Sequence, residues 1–220
     1  MRHDIAFLHT AAEHVATFDE LAIELAPDLR IRHDVAESLL AEARESGSVS
    51  PALENRVGRA MLGAASSGAR VVVCTCSTIG SVAEGVGSRR GLETQRIDRA
   101  MADAAVNCGS RILVVAALPS TVSPTCKLIT SSASKAGKSV SMKAVLVKDA
   151  WPYFERSMTQ VYLAQIAAAV KAGAGDADVI VLAQASMAGA VGLCRGIEKP
   201  VLASPRLGFE AAVAAFRRTL

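Results

Sequence analysis

Short apolar runs alternate with longer amphipathic ones along the chain. The short runs are Ile5–His9, Leu29–His33, Val71–Thr75, Leu92–Arg96, Ile112–Ala117, Val140–Val147, Val179–Ala183 and Val201–Ala203. Most are continuous stretches of Val, Ile and Leu, the pattern of parallel strands covered by helices on both faces. The longer runs predict helices, two of them with start signals. Thr17-Phe18-Asp19-Glu20 reads as a capping box, and Ser50-Pro51 puts an N-cap before a first-turn proline, ahead of a helix through Glu54–Ala65. Such alternation predicts an α/β fold with parallel sheets.

The pattern is written twice. Ile5-Ala6-Phe7-Leu8 matches Ile112-Leu113-Val114-Val115, 107 residues on, and Ala65–Cys76 matches Gly173–Gln184 at a shift of 108. Leu92–Gln95 lies opposite Pro200–Ala203 at that same shift. Three blocks in one order predict two pseudo-symmetric lobes, each a four-stranded, mainly parallel sheet flanked by helices. The predicted lobes are residues 1–95 with 205–220, and residues 96–204. The last helix, Arg206–Arg217, is expected to pack back on the first lobe, and the helix Asp98–Cys108 to pack on it or bridge the two.

Ligands of open parallel sheets sit beyond the carboxyl ends of the strands. An active site in the cleft between the lobes would therefore draw on four loops: His9-Thr10-Ala11, Cys76-Ser77-Thr78, Leu118–Thr121 and Gln184-Ala185-Ser186. Thr75-Cys76-Ser77-Thr78-Ile79-Gly80 is the most informative of these. It follows a buried strand and opens a predicted helix, so its N–H groups, two hydroxyls and a thiol suit a small carboxylate. A free thiol, with a pKa near about 8.5, is mostly protonated at neutral pH, and a helix N-terminus lowers that value. Cys76 is thus the candidate base or nucleophile, whereas Cys74, inside the strand, reads as an inert core residue. Ser120 and Thr121 suit a second oxygen group or a cap for the next helix, and the two roles are compatible. His9 is a candidate acid or base, Thr10 a candidate contact, and Gln184 and Ser186 are neutral hydrogen-bonding groups. His3, His14 and His33 show no partner spacing and receive no role.

Composition narrows the partners. Net charge is +3, and the tight basic pairs Arg89-Arg90 and Arg217-Arg218 lack interleaved aromatics, so no nucleic-acid partner is expected. Met1-Arg2-His3-Asp4 runs into a short apolar stretch without a small-residue cleavage site, and no apolar run reaches the length of a membrane span. Five cysteines without a CxxC pair argue against a disulfide framework or zinc site. A cytoplasmic chain with reduced thiols and no membrane partner is expected, with a homodimer left open. Gly85-Val86-Gly87 with Gly91 misses the dinucleotide spacing, Gly137-Lys138-Ser139 has Ser132 where a P-loop needs glycine, and Val82 stands where a cysteine phosphatase needs arginine.

With these residues in place, the chain resembles the aspartate/glutamate racemase superfamily, which includes glutamate, aspartate and hydantoin racemases, maleate isomerase and arylmalonate decarboxylase. Cys76-Ser77-Thr78 resembles that superfamily's first Cys-Asn-Thr motif, and Ser120-Thr121 its carboxylate-binding Gly-Thr loop. Where its second Gly-Cys-Thr motif would fall, this chain reads Ala183-Gln184-Ala185-Ser186, so Gln184 replaces the second thiol. His9-Thr10 stands where glutamate racemases carry an acidic residue. The resemblance implies a cofactor-independent and metal-independent racemase or isomerase of a small carboxylate. Cys76 would carry the chemistry, with His9 a second proton carrier and Thr10, Ser77, Thr78, Ser120, Thr121, Gln184, Ala185 and Ser186 holding the substrate. An arylmalonate-type decarboxylase, with Leu118, Val122 and Met187 lining an apolar pocket, and a non-catalytic binder of small acids are the alternatives.

Overall fold

A computed structural model describes residues 2–90 and 92–220, and within them all side chains except those of residues 88–90. The Arg89-Arg90 side chains and Gly91 singled out in the sequence lie outside the described residues. The elements, in chain order, are β1 (Ile5–His9), α1 (His14–Leu25), β2 (Ile31–Val35), α2 (Glu37–Ser46), α3 (Pro51–Ala65), β3 (Val71–Cys74), α4 (Gly80–Arg90) and β4 (Glu93–Arg96). There follow α5 (Arg99–Cys108), β5 (Arg111–Ala116), α6 (Pro119–Lys135), β6 (Ser141–Leu146), α7 (Trp151–Glu155), α8 (Thr159–Gly173), β7 (Val179–Leu182), a 3-10 segment (Ala185–Leu193), β8 (Val201–Ala203) and α9 (Ser204–Arg217).

The chain forms two compact units, Met1–Asp98 with Pro205–Leu220, and Arg99–Ser204. Each holds one four-stranded sheet in which every pairing is parallel: β2-β1-β3-β4 in the first and β6-β5-β7-β8 in the second. The same strand order in both makes the internal repeat a structural one. The central strands β1, β3 and β7 are buried at every position, because helices cover both of their faces. The edge strands β2 and β6 are half-buried or exposed and correspondingly polar. Among the described residues, no helix is long and apolar enough to cross a membrane.

The core of the first unit joins Ile5, Phe7, Val71 and Val73 of the sheet to Phe18 and Leu21 of α1 and to Phe209, Ala212, Val213 and Phe216 of α9. The rings of Phe7 and Phe209 lie 5.7 Å apart and within 5° of parallel. Gly208 permits the close approach of α9, since a Cβ there would sit 2.1 Å from the Ile97 carbonyl oxygen. In the second unit α5 packs on β7, β8 and α6.

Of three local expectations, two are corrected and one holds. α1 begins at His14, so Thr17 and Glu20 lie inside it and no capping box forms; the bonds from His14 N–H to Ala11 O and Val15 N–H to Ala12 O start the helical turn early. Ser50 caps α3 as expected, its hydroxyl accepting from Leu53 N–H at 3.1 Å, and Pro51 stands in the first turn. β2 starts at Ile31 rather than Leu29, because the register of an edge strand follows its partner, here Ile5 against Ile31, and Leu29 is held in a turn by Ala26 O.

Candidate active site

β1 and β3 are neighbours, and the backbone bond from Thr75 N–H to Leu8 O at 3.0 Å carries their pairing past the last strand residue. This sets Thr10, at the end of β1, beside Cys76, at the end of β3. Thr10, Cys76, Ser77 and Thr78 are all at least nine-tenths buried. The hydroxyls of Thr10 and Thr78 and the backbone N–H groups of Thr78 and Ile79 lie around the Cys76 sulfur and favour its thiolate form. Burial raises the thiol above its ordinary value against the pull of these four donors. This corrects the expected lowering by a helix N-terminus: residues 77–79 form a turn, α4 starts only at Gly80, and desolvation of a thiolate outweighs the donors. Cys74 is fully buried and raised far more strongly by the same cause.

An ion pair that sequence reasoning missed lies under this loop. Arg96 Nε donates to Asp98 Oδ1 at 2.6 Å, and Arg96 Nη2 to Asp98 Oδ2 at 3.0 Å and to the Ser77 carbonyl at 3.3 Å. Both residues are buried. Gly80 leaves room for the guanidinium, which a Cβ there would meet at 3.0 Å. The available signal was the Arg-x-Asp spacing at the end of a four-residue strand, one register step from Cys74.

His9 is fully buried, and both ring nitrogens are engaged: Nδ1 lies 2.9 Å from the Thr75 hydroxyl and Nε2 lies 2.8 Å from His33 Nδ1. Burial, with His33 and His14 nearby, lowers its pKa to about 3, which keeps it neutral. It is therefore placed as a held, uncharged group rather than as an open acid or base. His33 was overlooked because its link to His9 is visible only in register: His33 pairs with Phe7, and residues two apart on β1 share a face.

The second unit brings together the other predicted residues at the ends of β5 and β7. Gln184 Oε1 accepts from Ala117 N–H at 2.6 Å, while its buried Nε2 has no partner among the described residues. Ser186 Oγ pairs with the hydroxyl of buried Tyr162 at 2.8 Å. Ser120 and Thr121 fall in the first turn of α6, whose N-cap is Leu118 with no side-chain cap, so neither serves as the cap. Thr121 and Ala185 are buried, and Ser120 Oγ has no partner among the described residues. Leu118 and Met187 are also buried.

No family model and no curated protein matches this chain. Solved structures do. Aspartate racemase from Picrophilus torridus superposes with a TM-score of 0.68 at 14% identity, over 98% of this chain and 94% of that one. Glutamate racemase from Francisella tularensis, solved with D-glutamate, gives 0.73 at 10% identity over 99% and 82%. Arylmalonate decarboxylase gives 0.59 at 15% identity over 97% and 92%. All three belong to the aspartate/glutamate racemase superfamily, the one that Cys76-Ser77-Thr78 resembles, and at these identities the likeness is one of fold.

Proposed function

We propose that this chain is a cofactor-independent racemase or isomerase of a small carboxylate that works through one thiol, Cys76. The observation that carries this reading is the four hydrogen-bond donors converging on the Cys76 sulfur. Two hydroxyls and two N–H groups around a buried sulfur stabilise the thiolate, the form a thiol takes after giving up a proton and the form that attacks carbon. Each such donor contributes up to about 3 kcal/mol when charge develops against it in a dry site. Cys74, two residues away, is the inert counterpart.

The resting thiol is neutral, because burial outweighs the donors. A neutral thiol is ready to protonate a planar carbanion on one face; the thiolate left behind can remove a proton or add to an unsaturated carbon. Racemisation needs a second proton carrier on the opposite face. Gln184 cannot titrate, and His9 has both nitrogens engaged, so the reading centres on isomerisation and one-face proton transfer. In the second unit, Gln184 Nε2 is a neutral donor without a partner among the described residues, a group suited by itself to a ligand oxygen. The likeness to arylmalonate decarboxylase favours one second reading, a carbon–carbon lyase in which Cys76 protonates the carbanion left by loss of carbon dioxide.

The test is incubation in deuterated buffer with small dicarboxylates, arylmalonates and amino acids, followed by NMR, with Cys76→Ala beside the native chain. Deuterium at a carbon-bound position, or an isomer, that disappears in Cys76→Ala supports the isomerase; a decarboxylated product supports the lyase. A carboxylate that binds but neither exchanges nor turns over would overturn both in favour of a binding protein.

A further inference from the structure

Behind the Cys76 loop, a line of polar side chains runs through the first unit that the proposed chemistry does not use. The Thr75 hydroxyl lies 2.9 Å from His9 Nδ1 and His9 Nε2 lies 2.8 Å from His33 Nδ1, both hydrogen bonds, and His33 Nε2 lies 3.2 Å from an Asp19 carboxylate oxygen, at ion-pair distance but outside hydrogen-bond geometry. The line runs inward from water: Asp19 is 56% exposed at its side chain, His33 12%, and His9 is fully buried. Phe7 stacks on His33 at 5.8 Å, and Phe18 lies 5.4 Å from His9, so the middle of the line is walled by rings.

The fold itself has no need of these groups, as the second unit demonstrates. Ile5 pairs with Val71 as Ile112 pairs with Val179, so Ala116 occupies the place of His9 and Ala183 the place of Thr75. Phe7 pairs with His33 as Val114 pairs with Ala144. Even the backbone bond beyond the strands repeats, Thr75 N–H to Leu8 O at 3.0 Å against Ala183 N–H to Val115 O at 2.9 Å. One sheet is thus built with three alanines where the other carries His, His and Thr. Buried polar groups cost free energy, the more so where one of them, His33 Nε2, has no hydrogen-bond partner among the described residues, so a polar line kept where alanine suffices calls for a task other than folding.

We propose that Thr75, His9, His33 and Asp19 form a positioning relay that locks the ends of β1 and β3 together and so holds Thr10 beside Cys76. The relay rests on the reading of Cys76 as the reacting thiol. Its members are positioning residues: His9 adjoins Thr10 and Thr75 adjoins Cys76, so the His9–Thr75 bond ties the two segments that carry the pair.

The relay has a direction. The negative charge of Asp19, 3.2 Å away, favours hydrogen on the facing Nε2 of His33 without forming a hydrogen bond, so in the neutral state His33 Nδ1 accepts from His9 Nε2–H and His9 Nδ1 accepts from the Thr75 hydroxyl. A proton added to His33 reverses the two inner bonds: His33 Nδ1–H donates to His9, His9 Nδ1–H donates to Thr75, and the Thr75 hydroxyl turns to the Leu8 carbonyl, 3.3 Å away. The charge at the wet end therefore sets the tautomer of His9 and the direction of the Thr75 hydroxyl. Burial keeps His33 below its ordinary value against the opposing pull of Asp19 on α1 and Asp34 on its own strand. His14, also on α1, faces His9 with ring centroids 6.3 Å apart and is itself held neutral by burial. At neutral pH the relay points outward.

Two readouts test it. Nitrogen-15 NMR reports which nitrogen of His9 carries hydrogen, and the pH profile of iodoacetamide labelling, read at Cys76 by mass spectrometry, reports the sulfur. The native chain is expected to carry the His9 hydrogen on Nε2 at pH 7.5. Asp19→Lys, an exposed change to a group that only donates, moves it to Nδ1 and shifts the Cys76 profile by about one pH unit, about tenfold in rate at fixed pH. His9→Leu shifts the profile at least as far, and His9→Asn, whose amide reaches Thr75 from the Nδ1 position, restores most of it. Fully buried Cys74 stays unlabelled in every folded variant and so monitors the fold; should His9→Leu label it, the Asp19→Lys result decides. A His9 hydrogen on Nδ1 in the native chain, or an unchanged Cys76 profile in Asp19→Lys, overturns the relay. Loss of the relay signals beside Cys76-dependent turnover would leave the function standing. Intact relay signals without turnover would sink the function alone.

Discussion

The ends of β3 and β7 are the same place in two copies of one sheet, and they have diverged in every side chain that bears chemistry. Both strands are four apolar residues, fully buried, paired in the same register with the first strand of their unit. Beyond them, Thr75-Cys76-Ser77-Thr78 makes a turn into α4 and gathers four donors on a sulfur. Ala183-Gln184-Ala185-Ser186 enters a 3-10 segment and pins one amide oxygen to a backbone N–H, leaving its nitrogen unpartnered among the described residues. The scaffold repeats because aliphatic strands under helices need only volume and pattern. The chemistry is carried by a few positions at strand ends, where substitution costs the fold little. Register extends the contrast: Arg96, paired with Cys74, has as its counterpart Ala203, paired with Leu182. The first unit is the polar, supported half and the second the plain one.

The sharpest way to break this comparison is at the thiols. Cys76→Ala removes the proposed reacting group and is expected to lower turnover by about 10²–10⁴. Cys74→Ala, in the strand beneath, is expected to leave turnover within about threefold while lowering the melting temperature. Equal losses in the two variants, measured as kcat/KM, would mean that the loop end of β3 is no more special than its interior.

Next in size is the buried ion pair. Arg96→Met strands the Asp98 carboxylate without its partner and is expected to cost about 3–5 kcal/mol in urea unfolding. Arg96→Met with Asp98→Leu is expected to recover much of that stability without restoring activity, because the Ser77 carbonyl still lacks its donor. Full recovery of both by the double variant would make the pair a packing device only.

Acid separates the two units by a smaller amount. All four histidines, at positions 3, 9, 14 and 33, lie in the first unit. Burial lowers His9 to about 3 and His14 to about 4, from an ordinary 6.5. Above pH 6.5 both are neutral folded or unfolded, so nothing changes. Below 6.5 the unfolded chain takes up protons that the folded chain refuses, so stability falls by about 1.4 kcal/mol per pH unit for each histidine until the folded values are reached. Amides of β1 and β3 are therefore expected to lose hydrogen-exchange protection between about pH 6 and 4 before those of β5 and β7. Simultaneous loss in both sheets would remove the histidines as the cause.

How much of this could be read in advance follows from the same contrast. The parallel strands, their repeat and the place of Cys76 were legible, because unbroken runs such as Val71–Val73 and Val179–Val181 have few other uses in a chain of this polarity. Edge strands were less so: β2 is Ile-Arg-His-Asp-Val, and its start was drawn to Leu29, since an edge takes its register from its neighbour rather than from its own pattern. The capping box at Thr17 failed because the preceding turn had already begun the helix. From sequence His9 reads as a titrating candidate, but its partners, His33 on β2 and Thr75 after β3, are written in tertiary pairing alone. The direction of the Cys76 shift was misjudged for a related reason, because the depth of burial, which overrides the local helix end, is a property of the packed chain.

The finest test of the comparison is at Gln184. Gln184→Glu keeps the oxygen that accepts from Ala117 N–H and replaces the Nε2 donor by a second, negatively charged acceptor, so the side chain keeps its size and its anchor. If Nε2 meets a ligand oxygen, the variant sets like charge against a carboxylate. KM is then expected to rise about tenfold, the equivalent of about 1.4 kcal/mol, with kcat changed much less, because the group binds and does not move protons. The rise is expected to shrink as pH falls and the new carboxyl is protonated, a dependence that the native amide lacks. An unchanged KM across that pH range would confine Gln184 to holding the Ala117 N–H. The position matching Cys76 in the second unit would then be structural.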